Sequence, residues 1–146
     1  MRPARALTVA IVALALSGTA FAADTTIEYR KNNRKAIGAH MQSVVAIVKG
    51  EVEFADQLPA HARALADTAS FSKAAFEQKA TSGDSTAKAD IWQRWDDFAA
   101  DADAMQAAAD KLAAAASTGD KGALRASVGE LGRTCKSCHD SYRQKR

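Results

Sequence analysis

"IWQRWDDFAADADAMQAAADKLAAAAST", residues 91–118, is the stretch on which the fold turns. Ile91, Trp95, Phe98, Ala102, Met105, Ala109, Leu112 and Ala116 recur at alternating steps of four and three. Those steps put all of them on one side of an α-helix, whereas a strand would alternate every second residue. Trp92 widens the upper end of the stripe. The seam is narrow and near heptad spacing, which suits partner helices crossing at about 20°. Its alanines leave room for something bulkier than a side chain between helices.

Downstream, Ser117-Thr118-Gly119 closes this segment and Asp120 is placed to cap the next. The stripe that follows is Leu124, Val128, Leu131, Cys135, Cys138 and Tyr142. Upstream, residues 76–87 are polar and contain Gly83, which predicts a loop. Before that, residues 55–71 form a helix carrying Leu58, Leu65 and Phe71, with Pro59 near its first turn and Asp56 as its cap. The first helix starts near Thr25, where Thr25 and Glu28 make a capping box, and stops at Gly50. Its stripe is Ile27, Arg30, Arg34, Ile37, Met41, Val44 or Val45, and Val48. Four amphipathic helices with mostly short joins, and no sheet pattern, predict an all-α fold, an antiparallel up-down four-helix bundle.

Residues 1–22 read as a secretory signal peptide. Arg2 and Arg5 precede an apolar run over residues 6–16, and Ala20-Phe21-Ala22 gives an A-x-A cleavage site. The run is too short to span a bilayer, so no membrane anchor is expected after cleavage. Removing 22 of 146 residues leaves 124, residues 23–146, enough for one domain with a core. The leader holds two of the 20 basic residues and none of the 17 acidic ones, so the mature chain carries 18 against 17. That balance argues against a nucleic-acid partner.

Both cysteines lie in "TCKSCHDSYRQKR", residues 134–146. Cys135 and Cys138 are three apart, on one helix face and on the inward stripe, and His139 follows at once. In an exported chain this spacing reads as covalent haem attachment. Each thiol adds across a vinyl group, and the imidazole reaches iron from the adjacent position. A structural zinc site would need more ligands than His40 and His61 supply at paired spacing. A thiol oxidoreductase would set its Cys-x-x-Cys beside a βαβ pattern. A plain disulfide leaves His139 without a role.

The order of "IEYRK", "AIGAHM", "IVKGE", "IW" and "CKSCHDSYR" along the chain resembles the class II cytochromes c, the cytochrome c′ family. The resemblance implies a four-helix haem domain over residues 23–146, with one covalent haem c. It implies thioethers at Cys135 and Cys138 and a proximal iron ligand in His139. Arg143 matches the family's basic residue beside that histidine, and Arg30 the arginine that approaches a haem propionate. Low-spin members carry a methionine ligand four residues after the arginine of the Tyr-Arg pair, and high-spin members a non-ligating residue. Here that position is Arg34, which stays protonated and offers iron no lone pair. Arg34 is expected either at the distal haem face, donating to a bound ligand, or at a propionate or the surface. Met41 is a substitute ligand or core; His61 is expected exposed on the second helix; Met105 is core.

The resulting expectation is a periplasmic c-type haem protein, not an enzyme. Its iron would be five-coordinate, binding nitric oxide or carbon monoxide, or passing single electrons to redox partner proteins. The alternatives are a six-coordinate, low-spin electron carrier and a haem-free helical thiol or binding protein. Family members often pair through their first two helices, so the resemblance also raises a homodimer.

Overall fold

The structure, a computed structural model, describes residues 13–81 and 84–145, with side chains from residue 24 onward. Six helices follow in order: α1 Ala13–Lys49, α2 Leu58–Ser70, α3 Ala74–Glu77, α4 Asp90–Gln93, α5 Trp95–Thr118 and α6 Lys121–Tyr142. Among the described residues there is no strand; one antiparallel bridge joins Ala87 to Arg143.

The long elements are α1, α2, α5 and α6, and they form the four-helix bundle read from the sequence. Neighbours in sequence pack against each other, α1 on α2, α2 on α5 and α5 on α6. The seam between α1 and α6 is much the loosest of the four. Joins are turned by chemistry visible in the chain. Gly119 follows α5 with φ 72°, the left-handed region that a side chain would strain. Asp120 Oδ1 then accepts the N–H groups of Gly122 at 2.7 Å and Ala123 at 3.0 Å, satisfying two donors that open α6. Gly50, at φ 73°, closes α1 in the same way.

Several expectations change. Residues 1–12 of the expected leader lie outside the described residues, and the remainder continues α1 as helix. Thr25 is therefore inside a helix, and the capping box with Glu28 has no free first turn to close. Asp56 sits in a 3₁₀ turn, Ala55–Gln57, and α2 begins beyond it with Pro59 in its first turn, where no N–H is lost. Phe71 falls at the end of α2 and stays exposed. The stretch expected as loop opens with α3, whose Phe76 is buried. The third helix is broken at Arg94, which takes φ −126° and ψ 54°. On one side of the break the Trp92 indole donates to the Phe76 carbonyl at 2.8 Å; on the other Trp95 packs on Phe98. Ala108, Ala109 and Ala116 share a core with Ala62, Ala66 and Ala69 of α2, where small side chains let the two helices approach closely.

The interior has two parts. One is aliphatic, around Val44, Leu58, Leu65, Met105, Leu112, Leu124 and Leu131. The other is aromatic, around Phe76, Ile91, Phe98 and Tyr142, and it includes Cys138. No helix among the described residues is long and apolar enough to cross a membrane.

Candidate functional site

The last turns of α6 carry Cys135, Cys138 and His139. Cys138 is buried in the aromatic cluster, and Cys135 is half-buried against the aliphatic one. The pair thus sits where the two parts of the core meet. Both are free thiols. Burial pushes each thiol up from its ordinary value, while the positive charge of Arg34 pulls each down.

Arg34 reaches this place from α1, across the loose seam. Its guanidinium carbon lies 5.3 Å from the centre of the Phe76 ring, and its charge acts on Cys135, Cys138 and His139. Its Nε is buried and has no hydrogen-bond partner. Desolvation lowers its pKa, partly offset by the neighbouring thiols. An orphaned buried donor is costly, so the site calls for an acceptor.

His139 is half-buried. Burial first, then the charges of Arg34 and Arg143, hold its imidazole below the ordinary histidine range. This favours the uncharged ring, which keeps a lone pair. Arg143 itself is exposed, just past the end of α6, where its backbone N–H donates to the His139 carbonyl at 3.1 Å. A strap behind the site fixes this end of the helix. Lys88 N–H donates to the Tyr142 carbonyl at 2.9 Å, and Gln144 N–H to the Thr86 carbonyl at 2.8 Å.

Arg30, one turn before Arg34, is buried and already occupied. Its Nε donates to the Ala75 carbonyl at 2.6 Å, its Nη1 to Ala80 at 2.8 Å and its Nη2 to Gln78. The guanidinium also stacks on Phe76 at 4.5 Å and Trp92 at 5.3 Å. Three of its five N–H groups hold the 75–80 segment, which leaves two for an anion. Met41 packs on the aliphatic core, and Met105 is buried within it.

Sequence reasoning missed Phe76 and the carbonyls around it, although a lone aromatic in a polar link was a signal. It also missed a pairing of His40 with His61, whose Nδ1 atoms lie 3.1 Å apart. His61 is half-buried rather than exposed.

Two free thiols on one face, an imidazole next to the second, aromatic walls and the buried, unpartnered Nε–H of Arg34 form a set that fits a covalent haem. The family model for cytochrome C′ matches residues 25–143. Cytochrome c′ of Pararhodospirillum photometricum is 40% identical over 119 residues, covering 81% of this chain and 95% of that one. The structure of cytochrome c prime from Shewanella frigidimarina is similar with a TM-score of 0.80 at 30% identity, over 84% of this chain and 97% of that one. A nitric oxide complex of a mutant cytochrome c prime from Alcaligenes xylosoxidans gives a TM-score of 0.78 at 32% identity, over 85% and 97%.

Proposed function

The chain belongs to the cytochrome c′ family, and we propose that it works in the periplasm as a haem c protein that binds small diatomic ligands and passes single electrons. The observation that carries this reading is the placement of Arg34 against Cys135, Cys138 and His139 with its Nε unpartnered.

The chain's own groups divide the work. Cys135 and Cys138 would hold the macrocycle by two thioethers. His139 would give the iron its protein ligand, and burial, with the fields of Arg34 and Arg143, favours the unprotonated ring that ligation needs. When bound, the haem would supply an iron that can alternate between ferric and ferrous states and take a small ligand. Arg34 would lie near that haem, since its charge acts on Cys135, Cys138 and His139. A guanidinium cannot ligate iron, so it leaves the position free, and its Nε–H is available to a bound anion, water or diatomic molecule. A relative of the same fold, from Alcaligenes xylosoxidans, is solved as a nitric oxide complex, which supports that ligand class. Arg30 keeps the aromatic wall in place and offers its two remaining N–H groups to a propionate. Cleavage after Ala22 would release residues 23–146 as the working domain. Our reading is of a binding and redox protein rather than an enzyme.

The ferrous absorption spectrum with and without carbon monoxide tests this. A broad high-spin spectrum that shifts with the gas is expected. A sharp, split α/β pair indifferent to it would mean a six-coordinate electron carrier. Arg34→Met should move the spectrum toward low spin; an unchanged spectrum would remove Arg34 from the iron's open side. A purified exported sample whose mass equals the bare polypeptide would remove the haem.

A further inference from the structure

We propose that His40 and His61 form a second metal site, separate from the haem, that takes an exchangeable first-row divalent ion, Cu²⁺ most tightly. The two residues lie on adjacent antiparallel helices, α1 and α2, away from the cysteines. Their Nδ1 atoms are 3.1 Å apart, their ring centroids 5.4 Å apart, and the rings are inclined at 54°. Both are half-buried, so the backbone beneath them is fixed while one side of the pair is open to water.

The distance is what a chelate requires. Imidazole nitrogen binds such ions at about 2.0–2.1 Å, so two ligands on one ion stand about 2.9 Å apart at a right angle and about 3.4 Å apart at the tetrahedral angle. The observed separation falls between these limits before any ion is present. As hydrogen-bond partners the rings must place one proton between two converging nitrogens. An ion can take that proton's place. The donor ring shifts its proton to Nε2, both imidazoles stay neutral, and both Nδ1 lone pairs go to the ion. No net proton, electron or leaving group is transferred.

Among the described residues no group of three His, Cys, Asp or Glu side chains surrounds a metal position, so water completes the coordination. Two protein ligands give moderate affinity, and the ordinary order of divalent affinities puts Cu²⁺ above Zn²⁺ and Ni²⁺. Background binding is low, because the chain has three histidines and two cysteines in all and the proposed haem uses the remaining three of these groups.

The test is calorimetric titration of tag-free, haem-loaded protein with CuSO₄ and with ZnSO₄, paired with electron paramagnetic resonance of the copper form. One ion per chain is expected, Cu²⁺ tighter than Zn²⁺, with a copper signal split by two nitrogens. His40→Gln and His61→Gln should each lose that binding while the haem absorption and helical circular dichroism stay unchanged. The substitutions lie on different helices, and either one that folds decides the matter. Equal binding by wild type and variant, or a wild-type titration with neither heat nor a two-nitrogen signal, would overturn the site and leave a hydrogen-bonded pair.

Discussion

Around Leu65 the helices meet through leucine, valine and alanine; around Phe76 they meet through rings and two guanidinium groups. Val44, Leu65, Ala109 and Leu112 at the first end are 0% exposed, and every residue of that cluster is apolar. At the second end Phe98 lies 5.1 Å from Phe76 and 5.3 Å edge-on to Tyr142, by ring centroids. There Arg30 ties down loop carbonyls, and Arg34 keeps a donor without a partner. The aliphatic end is held by close packing, which needs no particular polar geometry. The aromatic end depends on a few directional ties and tolerates one unsatisfied group. Unsatisfied polarity is unfavourable in a core and useful where a ligand must be met.

The contrast can be broken first at its strongest point. Leu65→Ala should cost about 2–5 kcal/mol of unfolding free energy, the range for a buried leucine that leaves a cavity. Denaturant unfolding measures it, and the haem spectrum should not move. A spectral shift as large as that of a site variant would show that the two ends are not separable. Arg30→Leu comes next, at about 2–3 kcal/mol. Three carbonyls lose charged donors, and the loss is limited because the 75–80 segment can open and rehydrate them. Here the stability change should come with faster proteolysis between residues 78 and 86. Arg30→Lys should not rescue it, because one ammonium cannot reproduce a planar fork that reaches three separate carbonyls.

The aliphatic end was the more legible in the sequence. Its helices rest on periodicity, and their ends on Gly119, Asp120 and Gly50, whose reasons are local. The stripe from Ile91 to Ala116 holds seven buried residues and the half-buried Trp95. At the other end the thiols, His139 and Arg34 stood out by residue type and spacing. Their surroundings did not. The break at Arg94 accompanies contacts made by Trp92 to Phe76, sixteen residues earlier in the chain, which no local propensity records. Phe76 looked like loop because its neighbours are polar. His40 and His61 were judged helix by helix, and only the pairing of α1 with α2 brings their rings together. The start of α1 differs for another reason: the full-length chain continues helix through the point where a cleaved chain would need a cap.

A smaller test stays at the aliphatic end. Asp120→Ala removes the acceptor for the Gly122 and Ala123 N–H groups and should cost about 1 kcal/mol, with no change in ligand binding. Asp120→Ser should recover most of it, since a hydroxyl can accept the same bonds. Recovery would assign the effect to the cap; a loss equal to the alanine variant's would assign it to charge at the start of α6.

The smallest expected effect lies beside His139, in the exposed Lys136–Asp140 pair one turn apart on α6. The hydrogen bond from Lys136 is the main reason that the Asp140 carboxyl is held below its ordinary value; slight burial opposes it, and the positive charges of Lys136 and Lys145 add to it. The sign follows from proton binding. The unfolded chain takes up this proton at higher pH than the folded chain, so the contribution is fully present above about 3.9 and is lost as pH falls through the lowered folded value. Lys136→Gln should therefore lower the unfolding midpoint slightly at neutral pH, while wild type and variant converge in acid. Salt should shrink the neutral-pH difference, because both groups face water. A difference that persists at low pH and high salt would mean that Lys136 supports α6 by packing. The aromatic end would then owe more to its surface, and less to Arg30 and the buried rings, than the contrast with Leu65 implies.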